Sequence, residues 1–363
     1  SFHVVERLTK VDADVEYVGN DGRYVYYTSS EFSPVTQHLL RMDLKRRKSK
    51  PQQLTQESGW HKIEDMDSNC TTFKDSWSNE GTYWRSAIRS CKDGSIIKEF
   101  EMPEAPRMHS TVETGTVKSA DGRYDNYYRI VKPADFDSTK VYPMVLYVYG
   151  GPHSQLVTDS WRAGSREWED KIASRGYVVY AQDNRGTQHR GAAYEKAINR
   201  ACGQVETADQ MVGVQMMMKK SWIDKQRIGV YGWSYGGFMS ITLKTRYPEI
   251  FKTGVAGGPV IDWKWYEVMY GERYMDNPQT NREGFEKTSL MNRAADLQGK
   301  LLIIQGALDN TVVWQNSLNF IQKCIENGVQ VDYFVYPRSE HNVMRPWREH
   351  LQTKICDYFS ENL

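Results

Sequence analysis

The feature that most constrains this chain is the run Gly232-Trp233-Ser234-Tyr235-Gly236-Gly237, taken with what stands on either side of it. Before it, Arg227-Ile228-Gly229-Val230-Tyr231 reads as a short buried strand; after it, Phe238-Met239-Ser240-Ile241-Thr242-Leu243 reads as a helix. A Gly-x-Ser-x-Gly string between strand and helix is the pattern of a nucleophile elbow. The turn is sharp enough to hold the serine in a strained backbone conformation with its hydroxyl clear of the sheet. The glycines at 232 and 236 leave room for strand and helix to pack at the bend. Without its flanking elements the same string would read as a glycine-rich surface turn.

An elbow requires a sheet to carry it, and from about residue 113 onward strands alternate with helices, as in a mostly parallel sheet with crossovers. Expected strands are Met144–Tyr149, Tyr177–Ala181, the elbow strand, Lys252–Ala256, Leu301–Gln305 and Val329–Val335. Helices are expected at about 160–174, 206–220, after the elbow, 313–327 and 347–359.

Residues 1 to about 112 have a different pattern, short strands separated by turn residues. One set holds Tyr24–Thr28, His38–Leu44 and Gln53–Thr55; a second holds Cys70–Phe73, Tyr83–Ile88 and Ser95–Phe100. The sets repeat at about 45 residues, the length of a four-stranded propeller blade. Two blades cannot close a propeller, so most of one is expected to lie outside this sequence. The basic run Lys45-Arg46-Arg47-Lys48-Ser49-Lys50 is expected to be a solvated hairpin tip. The expected division is 1–112 as the C-terminal part of a β-propeller and 113–363 as a catalytic α/β domain.

With 363 residues there is room for both. A net charge of +1, with acids and bases mixed along the chain, argues against nucleic acid or a polybasic membrane face as partner. No apolar run approaches the length of a membrane span. The five cysteines, Cys70, Cys91, Cys202, Cys324 and Cys356, show no metal-ligand spacing, and their odd number suggests a core that does not depend on disulfides. Neither a metal nor an organic cofactor is expected. The chain begins at Ser1 with neither initiator Met nor signal peptide, and is expected to be a processed form or a piece of a longer protein.

A serine hydroxyl is a weak nucleophile near neutral pH and needs a base, which in turn needs an orienting acid. On a sheet of this kind the chain order is Ser, acid, His, with the site at the carboxyl ends of the strands. Asp309 directly follows the Leu301–Gln305 strand; Asp262 and Asp276 follow no strand end. Two histidines lie downstream. His341 sits in a loop between the last strand and the last helix, whereas His350 sits inside that helix among charged neighbours and is expected to face solvent. Ser234, Asp309 and His341 are therefore the expected triad. The oxyanion needs two donors. One is expected from the Tyr235 backbone N–H. The second should come from the Tyr149-Gly150-Gly151-Pro152 turn, where Tyr149 has a hydroxyl able to donate; a strand-end aromatic of the core is the equal alternative.

The elbow, the Tyr149–Pro152 turn, Asp183-Asn184-Arg185-Gly186 and Gly271-Glu272-Arg273-Tyr274-Met275 together resemble the dipeptidyl peptidase IV branch of the prolyl oligopeptidase family. The likeness spans about 113–363 well and the first part more weakly. It implies an α/β-hydrolase domain, a mostly parallel sheet with helices on both faces, preceded by the last blades of a β-propeller. It implies release of short peptides from an amino terminus after proline, with the triad and oxyanion donors named above. It also implies that Val260, Trp263, Tyr266, Tyr270 and Val312 line the pocket for the proline ring; helix packing is the plainer reading of the aromatic cluster alone. Two departures, Glu267 where dipeptidyl peptidases carry Asp and Thr311 where they carry Asn, look closer to bacterial prolyl tripeptidyl aminopeptidases. Glu267 is then expected to help bind the substrate's free ammonium, a solvent-facing salt bridge being the alternative. By the same resemblance the partners are peptides with proline near a free N-terminus, a homodimer is implied by analogy, and the location is the periplasm or cell surface of a bacterium.

Overall fold

A computed structural model describes residues 7–46 and 50–363, so Arg47, Lys48 and Ser49 of the expected basic hairpin tip lie outside the described residues. The chain forms two compact units. One comprises Ser1–Arg107 with the segments Val157–Gly164 and Gln188–Glu195; the other comprises Met108–Leu156, Ser165–Thr187 and Lys196–Leu363.

The first unit carries two antiparallel four-stranded sheets, each in simple sequential order. The first is β1 (Val15–Asn20), β2 (Tyr24–Ser29), β3 (His38–Asp43) and β4 (Gln52–Gln53); the second is β5 (Trp60–Met66), β6 (Thr72–Asn79), β7 (Thr82–Ser90) and β8 (Ile96–Phe100). This is the blade pattern expected from the repeat. Strand β5 is not apparent in the sequence, because Lys62, Glu64 and Asp65 break up its apolar pattern. The third expected strand, Gln53–Thr55, is shifted: β4 is Gln52–Gln53, and the buried Leu54 extends it only through its amide, which donates to the Leu39 carbonyl at 2.8 Å.

The second unit is built on eight strands: β9 (Ser110–Lys118), β10 (Asp125–Pro133), β11 (Tyr142–Tyr147), β12 (Val178–Gln182), β13 (Ile223–Trp233), β14 (Phe251–Gly257), β15 (Lys300–Gly306) and β16 (Asp332–Tyr336). Their order is β16-β15-β14-β13-β11-β12-β10-β9. Pairing is parallel from β12 to β16, and antiparallel where β10 meets β12 and β9. The β9–β10 hairpin was not expected. It opens the domain as a half-exposed strand pair, so it lacks the continuous apolar runs that mark the inner strands.

The helices are α1 (Glu167–Ala173), α2 (Ala192–Glu195), α3 (Val205–Met218), α4 (Tyr235–Arg246), α5 (Val268–Met275), α6 (Arg282–Thr288), α7 (Gln315–Glu326) and α8 (Arg348–Asn362); α2 belongs to the first unit, and those of the second cover both faces of its sheet. Alternation along the strands divides the core in two. Met144, Leu146, Val178, Tyr180, Leu301 and Ile303 pack with α3, α4 and α7. Val145, Val179, Leu302 and Ile304 pack with Trp168 and Ile172 of α1 and with Leu351, Ile355 and Phe359 of α8. The helix expected over 160–174 is replaced in its first part by a turn, Trp161–Gly164, in which Arg162 and Ala163 both have a left-handed φ of 54°, and α1 follows. The last strand begins three residues later than expected, at Asp332, because Val329 and Val331 pack onto the core from the connection after α7. All five cysteines are free and buried. No helix among the described residues is long and apolar enough to cross a membrane.

One buried ion pair ties α1 to the sheet. The Arg129 guanidinium on β10 donates to both Glu169 carboxylate oxygens, at 3.0 and 2.7 Å, and both side chains are fully buried. Removing one partner would leave an uncompensated buried charge. Glu169→Ala should therefore cost about 3–5 kcal/mol. The double variant Arg129→Met/Glu169→Leu should cost less than Glu169→Ala alone. Urea unfolding midpoints of the three proteins check this.

Candidate active site

Strand β13 runs into α4 through Ser234, whose φ of 61° and ψ of −116° put it in a region that L side chains rarely adopt. Its amide donates to the Gly257 carbonyl at 2.7 Å, anchoring the turn to β14. A Cβ on Gly232 would lie 2.4 Å from the Val148 carbonyl oxygen, and one on Gly236 would lie 2.3 Å from the same atom. Both glycines are therefore required by close approach, as the elbow pattern predicts.

Asp309 follows β15, and its carboxylate is wholly enclosed. One oxygen accepts the amides of Thr311 and Val312 at 3.0 and 2.8 Å; the other accepts the Gln305 side-chain amide at 2.8 Å and stands 2.7 Å from His341 Nδ1. A carboxylate only accepts, so it fixes the proton on Nδ1 and leaves Nε2 as an acceptor when the ring is neutral. The histidine loop is secured by the elbow strand, since the Trp233 indole N–H donates to the His341 carbonyl at 3.0 Å. Gly306 lets that loop come close: a Cβ there would be 2.2 Å from the Glu340 carbonyl oxygen. Ser234 and His341 line one cleft of about 630 Å³, with Tyr149, Tyr266 and Thr311.

The other candidates separate clearly. Asp262 accepts the Lys264 amide at 3.0 Å and the Ser289 hydroxyl at 2.6 Å, and Asp276 pairs with Arg200; each is engaged away from His341. His350 is exposed, as expected, and it also has local partners on the strand beside it. Its Nδ1 bonds the Tyr336 hydroxyl at 2.7 Å and its ring stacks on Phe334, both on the edge strand β16.

Tyr149 stands just past β11 with its ring 6.0 Å from that of Tyr235. Burial, assisted by neighbouring Tyr266, pushes its hydroxyl up to about 12, so the phenol keeps its proton and remains a donor. The turn that carries it is braced from below, where the Asn184 side chain donates to the Gly150 carbonyl at 2.9 Å. Of the residues expected around a proline ring, Tyr266 reaches the cleft. Trp263, Val260 and Val312 are buried in the core. Trp263 meets Tyr266 edge-on at 5.5 Å and stacks on Tyr270 at 5.8 Å, so this group forms the aromatic layer adjoining Tyr266. Glu267 is exposed and caps α5, its two oxygens accepting the Met269 and Tyr270 amides at 2.9 and 2.7 Å. That local duty differs from the expected alternative of a salt bridge.

Sequence reasoning missed Gln305, Trp233 and Glu206. Nothing in the sequence distinguishes Gln305 from any other polar strand end, and Trp233 was read only as part of the elbow.

The family model described as the prolyl oligopeptidase family matches residues 165–363. The chain belongs to the prolyl oligopeptidase family. It is 35% identical over 242 residues to human dipeptidyl peptidase 8, covering 65% of this chain and 27% of that one. Among solved structures, Porphyromonas gingivalis dipeptidyl peptidase 4 superposes with a TM-score of 0.90 at 30% identity, covering 99% of this chain and 51% of that one. A Bacteroides ovatus protein provisionally named a dipeptidyl aminopeptidase IV superposes with a TM-score of 0.91 at 38% identity, covering 99% and 51%. The chain thus spans about a quarter of the curated relative and about half of each solved one.

Behind the elbow lies a buried acid. Glu206 accepts the Tyr235 hydroxyl and, at 2.9 Å, the Gly203 amide; its second oxygen has no partner among the described residues. Burial, reinforced by Asp209, raises its pKa from 4.5 to about 7. Between those values the folded protein binds more protons than the unfolded chain. Stability is therefore highest below pH 4.5 as far as this group is concerned, and declines as pH rises to about 7. In Glu206→Gln that decline should vanish. Urea titrations across the window should show a wild-type-minus-variant difference that changes by on the order of 3 kcal/mol.

Proposed function

We propose that this chain carries the catalytic domain of a serine exopeptidase that releases N-terminal tripeptides, Xaa-Xaa-Pro, through an acyl-enzyme formed after proline. The observation that carries this reading is a serine strained at the start of α4 that shares a cleft with a histidine whose Nδ1 stands 2.7 Å from an enclosed carboxylate.

In this reading Ser234 Oγ attacks the carbonyl after proline while His341 Nε2 takes its proton. Asp309 holds the ring and stabilises the imidazolium. The oxyanion is met by the Tyr235 amide and the Tyr149 hydroxyl, which burial keeps protonated. The tetrahedral intermediate then collapses, His341 returns the proton to the leaving amine, and water repeats the sequence on the acyl-enzyme. Tyr266, backed by Trp263, Tyr270, Val260 and Val312, offers an apolar wall to the proline ring. Glu267 sits one residue from Tyr266 with its carboxylate oriented by two amides, which suits it to meet the substrate's ammonium. No cofactor enters these steps.

The second reading, release of Xaa-Pro, is favoured by the names of the relatives, which are dipeptidyl peptidases. Glu267 and Thr311 favour the tripeptide. A comparison of chromophore release from unblocked Xaa-Pro and Xaa-Xaa-Pro anilides by the full-length protein separates the two. Turnover of the tripeptide is expected, with loss of at least about 10⁴-fold in Ser234→Ala. Preference for the dipeptide would move the chain to the second reading, and cleavage of simple esters alone would exclude both. Glu267→Gln should lower kcat/KM on the unblocked tripeptide by roughly tenfold, the size of one charge-assisted contact. It should leave an N-blocked ester substrate unaffected.

A further inference from the structure

The cleft extends beyond the triad. Past His341 its wall is made by Asn342, Val343, Met344 and Arg348, and opposite them stand Arg166 and Trp168. A second hollow continues outward between Arg166, Met344, Arg345 and Arg348. Arg166 and Arg348 thus share the cleft with Tyr147, Tyr149, Tyr231 and Tyr266, and Arg345 joins them in the hollow beside it.

The fold accounts for them only in part, through a hydrogen bond between the Tyr147 hydroxyl and the Arg166 side chain. Among the described residues neither Arg166 nor Arg348 has a carboxylate within ion-pair distance, and the acids nearby are committed elsewhere. Glu167 accepts from Gln352 at 3.0 Å and stands 3.9 Å from Arg345. Glu169 is taken by Arg129, Asp170 by the His109 amide, and Glu349 by Lys171. Arg348 is moreover the first residue of the 15-residue α8, where the helix dipole disfavours a cation. Trp168, nine-tenths buried, also lines the cleft, and its enclosed indole N–H has no partner among the described residues. Two guanidiniums without a carboxylate partner in one reactive cleft suit an anion.

The chemistry says which part of a substrate lies there. The leaving amine must take its proton from His341, so the chain beyond the cut starts beside that ring, in the cleft that Arg166 and Arg348 also line. We propose that Arg166 and Arg348 form a leaving-side subsite for a carboxylate on the substrate, either an Asp or Glu side chain in the first two residues after the cut or, in short peptides, the free C-terminus. This rests on the peptidase reading above. Because the guanidiniums are exposed, the attraction is partly screened and weakens with salt.

The test uses the full-length protein and unblocked peptides of one sequence, with Glu or Lys in the two positions after proline, each as free acid and C-terminal amide. The Glu peptide should show a roughly tenfold higher kcat/KM than the Lys peptide at low salt, the size of one or two screened ion pairs. A free acid should exceed its amide in the shortest peptides only. In Arg166→Gln/Arg348→Gln the Glu-to-Lys ratio should fall to about one, and Arg166→Lys/Arg348→Lys should restore most of it. A ratio near one in the wild type, or one unchanged by the Gln pair, overturns the subsite and leaves the peptidase reading standing. Failure to cleave any of these peptides or the tripeptidyl anilide overturns the peptidase reading, and the subsite with it.

Discussion

The site depends on how closely the Val148 carbonyl approaches two glycines. It lies 2.4 Å from where a Cβ of Gly232 would stand and 2.3 Å from where one of Gly236 would stand, so the end of β11, the end of β13 and the start of α4 meet at one point. Neither position tolerates a side chain. One consequence is the sharp turn that pushes Ser234 into its positive-φ conformation. The next residue of β11's extension is Tyr149, so the same approach brings its ring to within 6.0 Å of Tyr235. The proposed nucleophile and oxyanion donors are thus set by one contact.

The acid and base are referenced to the same strands. The Ser234 amide bonds Gly257 at the end of β14, and the Gly258 amide bonds Ile304 of β15, each at 2.7 Å. Gly258 has a φ of 47°, and a Cβ there would stand 3.2 Å from the His341 ring and 3.5 Å from the Asp309 carboxylate. A glycine is needed both for the backbone and for the space. Trp233 closes the arrangement by bonding the His341 carbonyl from the residue before the nucleophile. Loops from three strand ends are therefore positioned by short backbone contacts, which keeps reacting groups within the small tolerances catalysis requires.

How much of this could be read beforehand follows from what each feature needs. The elbow, the order of Ser234, Asp309 and His341, and the inner strands were legible because each leaves a local trace: glycines at fixed offsets, or continuous apolar runs. The blades were legible from their repeat length, although β5 was not, since its charges hide the alternation. The β9–β10 hairpin was lost for the same reason. The aromatic cluster was read as pocket lining; Tyr266 lines the cleft, and Trp263 and Tyr270 pack directly against it. Glu267 as a helix cap was missed too, although an acid two residues before a backbone amide in need of an acceptor is a known N-terminal signal. Gln305 and Glu206 act through partners distant in sequence, and no local pattern announces them.

The distribution of charge across the site follows from the cost of burial. An isolated ion taken out of water costs several kcal/mol even after relaxation, so a stabilising group deep in the cleft is better neutral than charged. Tyr149, held protonated by its surroundings, and a backbone amide meet that condition and can still donate to a charge that exists only transiently. Asp309 is the acid that burial would penalise, and three donors from Gln305, Thr311 and Val312 offset the penalty before His341 is counted. Glu206 has fewer donors and one oxygen without any, and accordingly holds its proton to about pH 7. The guanidiniums sit where water still reaches them, at the outer end of the cleft. A permanent positive charge is inexpensive there, and in the proposed subsite it would meet the part of a substrate that extends beyond the cut.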